Sequence, residues 1–118
     1  MEKIELKLID LPNQKIIKTT CHTLELGHKY LELILDFTSE EFVNSEDKLL
    51  GTKEVKRSLH SFSLKSKIAG VDKKYAFVDK FWTIYISVDG VADEVLIHFK
   101  TNEEATALYE KLKKWLLE

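Results

Sequence analysis

The residues best suited to metal chemistry lie close together early in the chain, as Cys21, His22 and His28. A thiolate and two imidazoles are ligands that Zn²⁺ accepts. Their spacing, however, matches no standard zinc motif, and adjacent residues of a strand point to opposite faces of a sheet. We therefore expect no bound metal and treat these three side chains as ordinary structural residues.

Residue types for covalent or acid–base catalysis are present but not arranged in any recognisable motif. Cys21 as a nucleophile would need a neighbouring base and an activated thiolate, and nothing in the sequence orders such partners. The chain has no glycine-rich phosphate loop and no Gly-x-Ser-x-Gly nucleophile elbow. Acidic residues cluster within 40–47, where a solvated loop explains them better than a carboxylate site. We expect a protein that is not an enzyme and holds no cofactor.

The most basic segment of the chain flanks residues 68–71. It carries four lysines, which are Lys65, Lys67, Lys73 and Lys74. Such a cluster could bind an anionic lipid or a phosphate group. The competing interpretation, which we favour, is that the lysines only keep a loop and a sheet edge soluble. Arg57 is the only arginine, and arginine supplies the planar fork that recognises phosphates. At most, weak contact with a membrane surface is expected.

The most suggestive aromatic pair is Phe81 and Trp82. Neighbouring residues in a strand face opposite ways, so both cannot enter one core. If Trp82 is inside, the opposite face carries an exposed strip of Phe81, Thr83 and Tyr85. Exposed aromatic residues often mark a partner surface. The alternative is that a C-terminal helix or the 39–51 segment covers this face, and the pattern favours neither.

Length, charge and cysteine content exclude several classes of protein. A chain of 118 residues predicts one domain, 1–118. The net charge of −2 provides no basic field for nucleic acid. One cysteine excludes an internal disulfide framework and fits a reducing compartment. The sequence has no secretory signal pattern and no apolar run approaching the ~20 residues that span a bilayer. We expect a cytoplasmic protein.

Period-two alternation of apolar residues predicts a β-rich chain. An Asp89–Gly90 turn separates the last two strands, and a bend near 79–80 divides a run too long for one strand. The 39–51 segment is predicted as either a short helix or an acidic loop, and 65–74 as a loop or irregular edge. Strands are predicted at 3–11, 15–26, 29–37, 53–64, 75–88 and 94–100.

The end of the chain carries the clearest helix signal, at 102–117. Thr101 and Glu104 form a Thr-x-x-Glu capping-box pair. Apolar residues then recur every three or four positions, which gives the helix one apolar face that must cover a sheet. These residues are Ala105, Leu108, Leu112 and Trp115.

The run from "KRSLHSFSL" through "TIYISVDGVADEVLIHFKTNEEATALYEKLKKWL" resembles the pleckstrin-homology (PH) superfold, and most closely the bacterial PH-like domains. The resemblance covers roughly 53–117 and lies in the order of strand, Asp-Gly turn, strand and capped helix. It implies an α+β fold of about seven antiparallel strands, in a bent sheet or partly open barrel capped by the helix. An open sheet with a helix on one face is the alternative.

The resemblance does not extend to phosphoinositide binding. Members that bind these lipids carry a Lys/Arg cluster in the first hairpin, where this chain has Lys15 and Lys18 but no arginine. They also carry a tryptophan near the position of Tyr109, whereas Trp115 comes later in this helix. Some bacterial PH-like domains self-assemble, which makes a homo-oligomer plausible here.

From the sequence we predict a non-enzymatic binding or assembly module. Its partner would be another protein or a second copy of the chain, and we expect it not to bind nucleic acid. The first alternative is a domain that binds an anionic lipid surface weakly. The second is a carrier that holds a small ligand inside the barrel.

Overall fold

The computed structural model describes the backbone of residues 1–45 and 48–118 and the side chains of 1–42 and 51–118. One turn of 3-10 helix, Lys65–Lys67, separates the fourth and fifth strands. The elements are β1 (Glu2–Glu5), β2 (Gln14–Leu26), β3 (Tyr30–Ser45), β4 (Lys48–Leu64), β5 (Ile68–Ala76), β6 (Phe81–Val88), β7 (Val95–Phe99) and α1 (Asn102–Leu116). The predicted α+β class, with antiparallel strands and a C-terminal helix, is confirmed.

The strands form two sheets in simple sequence order. One contains β1-β2-β3-β4 and the other β5-β6-β7, and every pairing is antiparallel. Within the described residues no ladder joins β4 to β5 or β1 to β7, so the two sheets do not close into a barrel. The outer strands of both sheets therefore keep a free edge.

The core lies between the two sheets and the helix. The four-stranded sheet contributes Leu24, Leu31 and Leu33, which alternate with more exposed neighbours as a half-buried strand requires. The three-stranded sheet contributes Ile84 and Ile86 from its central strand. The predicted apolar stripe of α1 is confirmed, because the buried residues of that helix are Ala105, Leu108, Leu112 and Trp115.

Both ends of α1 are fixed by specific contacts. At the start, the Thr101 hydroxyl oxygen accepts a hydrogen bond from the Glu104 backbone N–H at 3.2 Å, which confirms the predicted cap. Near the end, the Trp115 indole N–H donates to the Gly27 carbonyl at 2.7 Å. Because Gly27 lies in the β2–β3 turn, this bond ties the helix to the four-stranded sheet.

Three segments differ from the sequence predictions. In the first, predicted as one strand over 3–11, β1 ends at Glu5. Residues 39–45 belong to β3 and 48–51 to β4, so neither a helix nor an acidic loop forms there; residues 46 and 47 lie outside the described residues. The acidic side chains have cross-strand partners instead. Glu41 accepts two hydrogen bonds from Arg57, at 2.7 and 2.9 Å, and Glu40 accepts one from Thr52 at 2.5 Å.

The segment 65–74 is also more regular than predicted. It forms the 3-10 turn and most of β5, because β6 supplies an antiparallel partner from Ile68 to Ala76. Among the described residues, no helix has both the length and the apolar character needed to cross a membrane.

Candidate functional site

The four lysines proposed as an anionic-ligand patch, Lys65, Lys67, Lys73 and Lys74, do not form a single surface. Consecutive residues of β5 point to opposite faces, and the Lys73 ammonium donates to Asn102 Oδ1 at 2.8 Å and Thr106 Oγ1 at 2.7 Å. The Lys74 ammonium instead lies 4.7 Å from the Tyr85 ring centroid. Lys65 contacts the end of α1, and Lys67 is exposed on the 3-10 turn.

The predicted strip of Phe81, Thr83 and Tyr85 lies on the outer face of the three-stranded sheet, but it is not freely exposed. Thr83 is buried, and its hydroxyl lies 3.0 Å from His98 Nδ1. Phe81 packs edge-on against the His98 ring, with centroids 5.1 Å apart. Of the two alternatives that the sequence left open, exposure therefore does not hold for Thr83. The reason is that β6 is the central strand, so Lys74 of β5 and His98 of β7 flank Thr83 on both sides.

The location of His98 favours the neutral form of its imidazole. Burial lowers the pKa of the ring, because the charged form loses hydration. The histidine thus acts as a polar partner for Thr83 on the outer face of the sheet.

The side chains of Cys21, His22 and His28 also do not share one face of the sheet. Cys21 and His22 are consecutive in β2 and point to opposite faces, and His28 is exposed in the β2–β3 turn. The Cys21 sulfur contacts Thr23 Oγ1 at 3.8 Å. Within the described residues no group of three or more His, Cys, Asp and Glu side chains is placed to hold a metal ion.

A Ser–His–Asp cluster, which the sequence did not reveal, lies on the outer face of the four-stranded sheet. Ser58 donates to Asp36 Oδ1 at 2.5 Å, and His60 Nε2 lies 3.0 Å from both carboxylate oxygens. The same His60 nitrogen lies 3.3 Å from Ser58 Oγ. A catalytic triad uses one imidazole nitrogen for the serine and the other for the aspartate. Here one nitrogen faces both, so the cluster is a cross-strand hydrogen-bond network.

This network lowers the pKa of the Asp36 carboxyl. The Ser58 hydrogen bond, followed by the His60 hydrogen bond, lowers the pKa of the Asp36 carboxyl below its ordinary value. Because the pKa is lower in the folded state, the ionised Asp36 carboxylate stabilises the fold above the unfolded-state pKa. That contribution disappears as the pH falls through the folded-state pKa.

We expect Ser58→Ala to raise the Asp36 pKa towards the ordinary aspartate value, as followed by carboxyl ¹³C shifts in an NMR titration. Ser66→Ala is the matched control, because Ser66 is exposed on the 3-10 turn and away from Asp36 in the sheet. An unchanged Asp36 pKa in Ser58→Ala would show that the hydroxyl does not stabilise the carboxylate.

The free edge of β4 is the largest unpartnered backbone feature in the described part of the chain. The strand is 17 residues long, and β3 is its only paired neighbour there. Residues 58–64, "SLHSFSL", contain no lysine, arginine, aspartate or glutamate. Their apolar side chains are unusually exposed, at 45% for Leu59, 60% for Phe62 and 50% for Leu64. We call residues 58–64 the uncharged β4 edge.

An apolar groove runs beside the uncharged β4 edge. It has a volume of about 440 Å³ and lies between the inner face of β4 and the β6–β7 connection. Leu59 and Ser61 form one wall, and Val88, Val91 and Val95 form part of the other. A strand added to β4 would therefore place alternate side chains over this groove.

A second exposed apolar feature is the tip of the β5–β6 turn. Phe77 is 82% exposed and Val78 is 91% exposed. Behind them, the Tyr75 ring packs on Trp82 with centroids 4.7 Å apart. Asp79 and Lys80 complete the turn, and the positive φ of 57° at Lys80 brings the chain into β6.

Comparison of the chain with protein-family models, curated proteins and solved structures found no match in any of the three. Its function must therefore be inferred from the surfaces that the described residues present. The uncharged β4 edge is the most extensive of these, because it combines free backbone groups with exposed apolar side chains.

Proposed function

We propose that this chain is a non-enzymatic binding module that self-associates by pairing β4 with β4 of a second copy. The observation that carries the proposal is the uncharged β4 edge. A sheet edge presents unpaired N–H and C=O groups that template the addition of another strand. Natural edges usually carry charged residues that prevent such pairing. Residues 58–64 carry no charge when His60 is neutral.

A second copy fits this edge better in an antiparallel register centred on Leu59 than in one centred on Ser61. A two-fold axis through Leu59 would place the two Leu59 side chains opposite each other. It would also place each Lys56 ammonium opposite the Phe62 ring of the other copy, a favourable cation–π arrangement. An axis through Ser61 would instead oppose each Leu59 to a Ser63, which loses the apolar Leu59–Leu59 contact.

Sedimentation velocity over a wide range of protein concentrations tests this proposal. A seven-residue edge contact is small beside the roughly 1,200–2,000 Å² of stable interfaces, so we expect a reversible monomer–dimer equilibrium. The sedimentation coefficient should therefore rise with concentration towards that of a dimer. A monomer at every concentration would contradict self-association and leave a different protein as the partner.

The proposal also includes the PH-like fold, the cytoplasmic location and the non-enzymatic role predicted from the sequence. A PH-like architecture is supported by the order of four strands, three strands and a helix packed on the second sheet. A cytoplasmic location is supported by the single, unpaired Cys21. A non-enzymatic role is supported by the Ser58–His60–Asp36 geometry, which lacks the two-sided imidazole of a triad.

A second candidate function is weak binding to an anionic membrane surface, which the exposed β5–β6 tip favours. Phe77 and Val78 could enter the interfacial region, with Lys74 and Lys80 near the lipid phosphates. Tyr75 and Trp82, just behind the tip, are residue types that prefer this depth.

We expect the double substitution Phe77→Ser and Val78→Ser to weaken co-sedimentation with vesicles of mixed phosphatidylcholine and phosphatidylserine about tenfold. Added salt should also weaken binding, because the lysine contribution is screened. Val91→Ser removes another exposed apolar side chain, on the β6–β7 connection, and should leave binding unchanged. Equal binding of the double variant and the unmodified chain would contradict insertion of this tip.

A further inference from the structure

We propose that the cleft between the β2–β3 turn, Lys65 and the last turns of α1 binds a phosphate monoester. The cleft has a volume of about 650 Å³. It is independent of the proposed dimer, because none of its lining residues belongs to 58–64. The lining residues are Met1, Glu2, Leu26, Gly27, His28, Lys29, Lys65, Lys111, Lys114, Trp115 and Glu118.

Positive charge dominates this cleft although the whole chain has a net charge of −2. Four lysines face two glutamates, and the Lys111–Glu2 ion pair at 2.6 Å neutralises one of each. Among the described residues, no carboxylate oxygen lies within ion-pair distance of Lys29 or Lys114. The C-terminal end of α1 contributes only about half a negative charge, so the cleft remains positive. A concave site with one sign of charge concentrates the opposite ion.

Part of the cleft wall is apolar, which suits an organic group attached to the phosphate. Leu26 and Trp115 are both buried in the core, and their edges line the cleft. The Lys65 ammonium lies 5.0 Å from the Trp115 ring centroid and donates to the Glu118 main-chain oxygen at 3.2 Å. This lysine is therefore positioned above the aromatic wall rather than extended into solvent.

Gly27 fixes the shape of the turn that borders the cleft. A Cβ atom at this position would collide with the Tyr30 ring, so only glycine permits this packing. The same glycine accepts the Trp115 indole hydrogen bond through its carbonyl oxygen. The cleft wall is thus formed in advance, which reduces the entropy cost of binding a small ligand.

The positive charge of the cleft favours an anionic ligand. Lysine binds phosphate as a point charge, without the planar fork that arginine offers to phosphates and carboxylates alike. Lys29 and Lys114 can each donate to the oxygens of one dianionic phosphate, while its organic part lies against Leu26 and Trp115. A free metabolite and the head group of phosphatidic acid share this phosphate monoester chemistry.

The test is calorimetric titration with phenyl phosphate, inorganic phosphate and succinate at low salt. We expect phenyl phosphate to bind more tightly than the other two, because only it combines a phosphate with an apolar group. Lys29→Ala together with Lys114→Ala should weaken phenyl phosphate binding at least about tenfold. Lys15→Ala with Lys18→Ala removes the same charge from exposed positions on β2 and should have little effect.

Three results would overturn the proposal. They are no binding of phenyl phosphate at millimolar concentration, equal affinity for succinate, and equal losses in the two double-lysine variants. Vesicles of phosphatidylcholine with and without phosphatidic acid distinguish the source of the phosphate. Competition between these vesicles and phenyl phosphate supports a lipid head group, and binding of phenyl phosphate alone supports a free metabolite.

Discussion

Trp115→Ala is expected to lower the free energy of unfolding by about 3–5 kcal/mol, as measured by urea denaturation. The side chain is only 7% exposed and packs in the cluster that both sheets and the helix share. Its removal leaves a cavity at the point where α1 meets the four-stranded sheet. It also leaves the Gly27 carbonyl without the indole donor that now lies 2.7 Å away.

Two further variants separate these contributions to stability. Trp115→Phe keeps an aromatic ring but removes the indole N–H, so we expect a loss of about 1–3 kcal/mol. Leu117 lies just beyond the last residue of α1 and is 87% exposed. Leu117→Ala should therefore lower the free energy of unfolding by no more than about 0.5 kcal/mol. If Trp115→Ala were as stable as Leu117→Ala, the helix would not be what joins the two sheets.

The combined substitution Leu59→Lys and Phe62→Lys is expected to weaken self-association about 100-fold, as measured by sedimentation equilibrium. In the register centred on Leu59, the first change opposes two lysines across the axis. The second change places a lysine opposite the native Lys56 of the other copy, and this repulsion occurs twice per dimer. The lost apolar contacts and the new repulsions together make the free energy of association less favourable by roughly 2–3 kcal/mol.

The monomer should survive these changes, because both side chains are about half exposed. Phe62 stacks on Tyr30 with centroids 5.2 Å apart, so a modest loss of thermal stability is expected. Ile17→Lys combined with Leu117→Lys adds the same charge at exposed sites outside β4 and should leave association intact. Equal weakening in this control would mean that net charge, rather than the β4 edge, governs association.

The sequence predicted the elements whose periodicity is local. The stripe of α1 and the Thr101 cap depend on residues three or four apart, and both are confirmed. Residues 39–51 were mispredicted because their strand character depends on partners beyond the segment. Arg57 and Thr52 supply the hydrogen bonds that an acidic loop would have taken from water.

The candidate sites were harder to predict because they depend on sheet order and register. Alternation placed Thr83 on the face opposite Ile84, but only the central position of β6 explains its burial. Likewise, "SLHSFSL" was predicted as a strand, yet nothing local marks it as an edge. The Ser58–Asp36 contact required the β3–β4 register. The exposed tip at Phe77 could have been inferred from the predicted bend at 79–80.

Hydrogen–deuterium exchange at low and high protein concentration tests the β4 interface most directly. Amides within 58–64 should exchange more slowly as the concentration rises, because pairing with a second copy protects the free edge. Exchange in α1 and on β6 should not change with concentration. Concentration-independent exchange in 58–64, or protection that appears on β6 instead, would contradict self-association through β4.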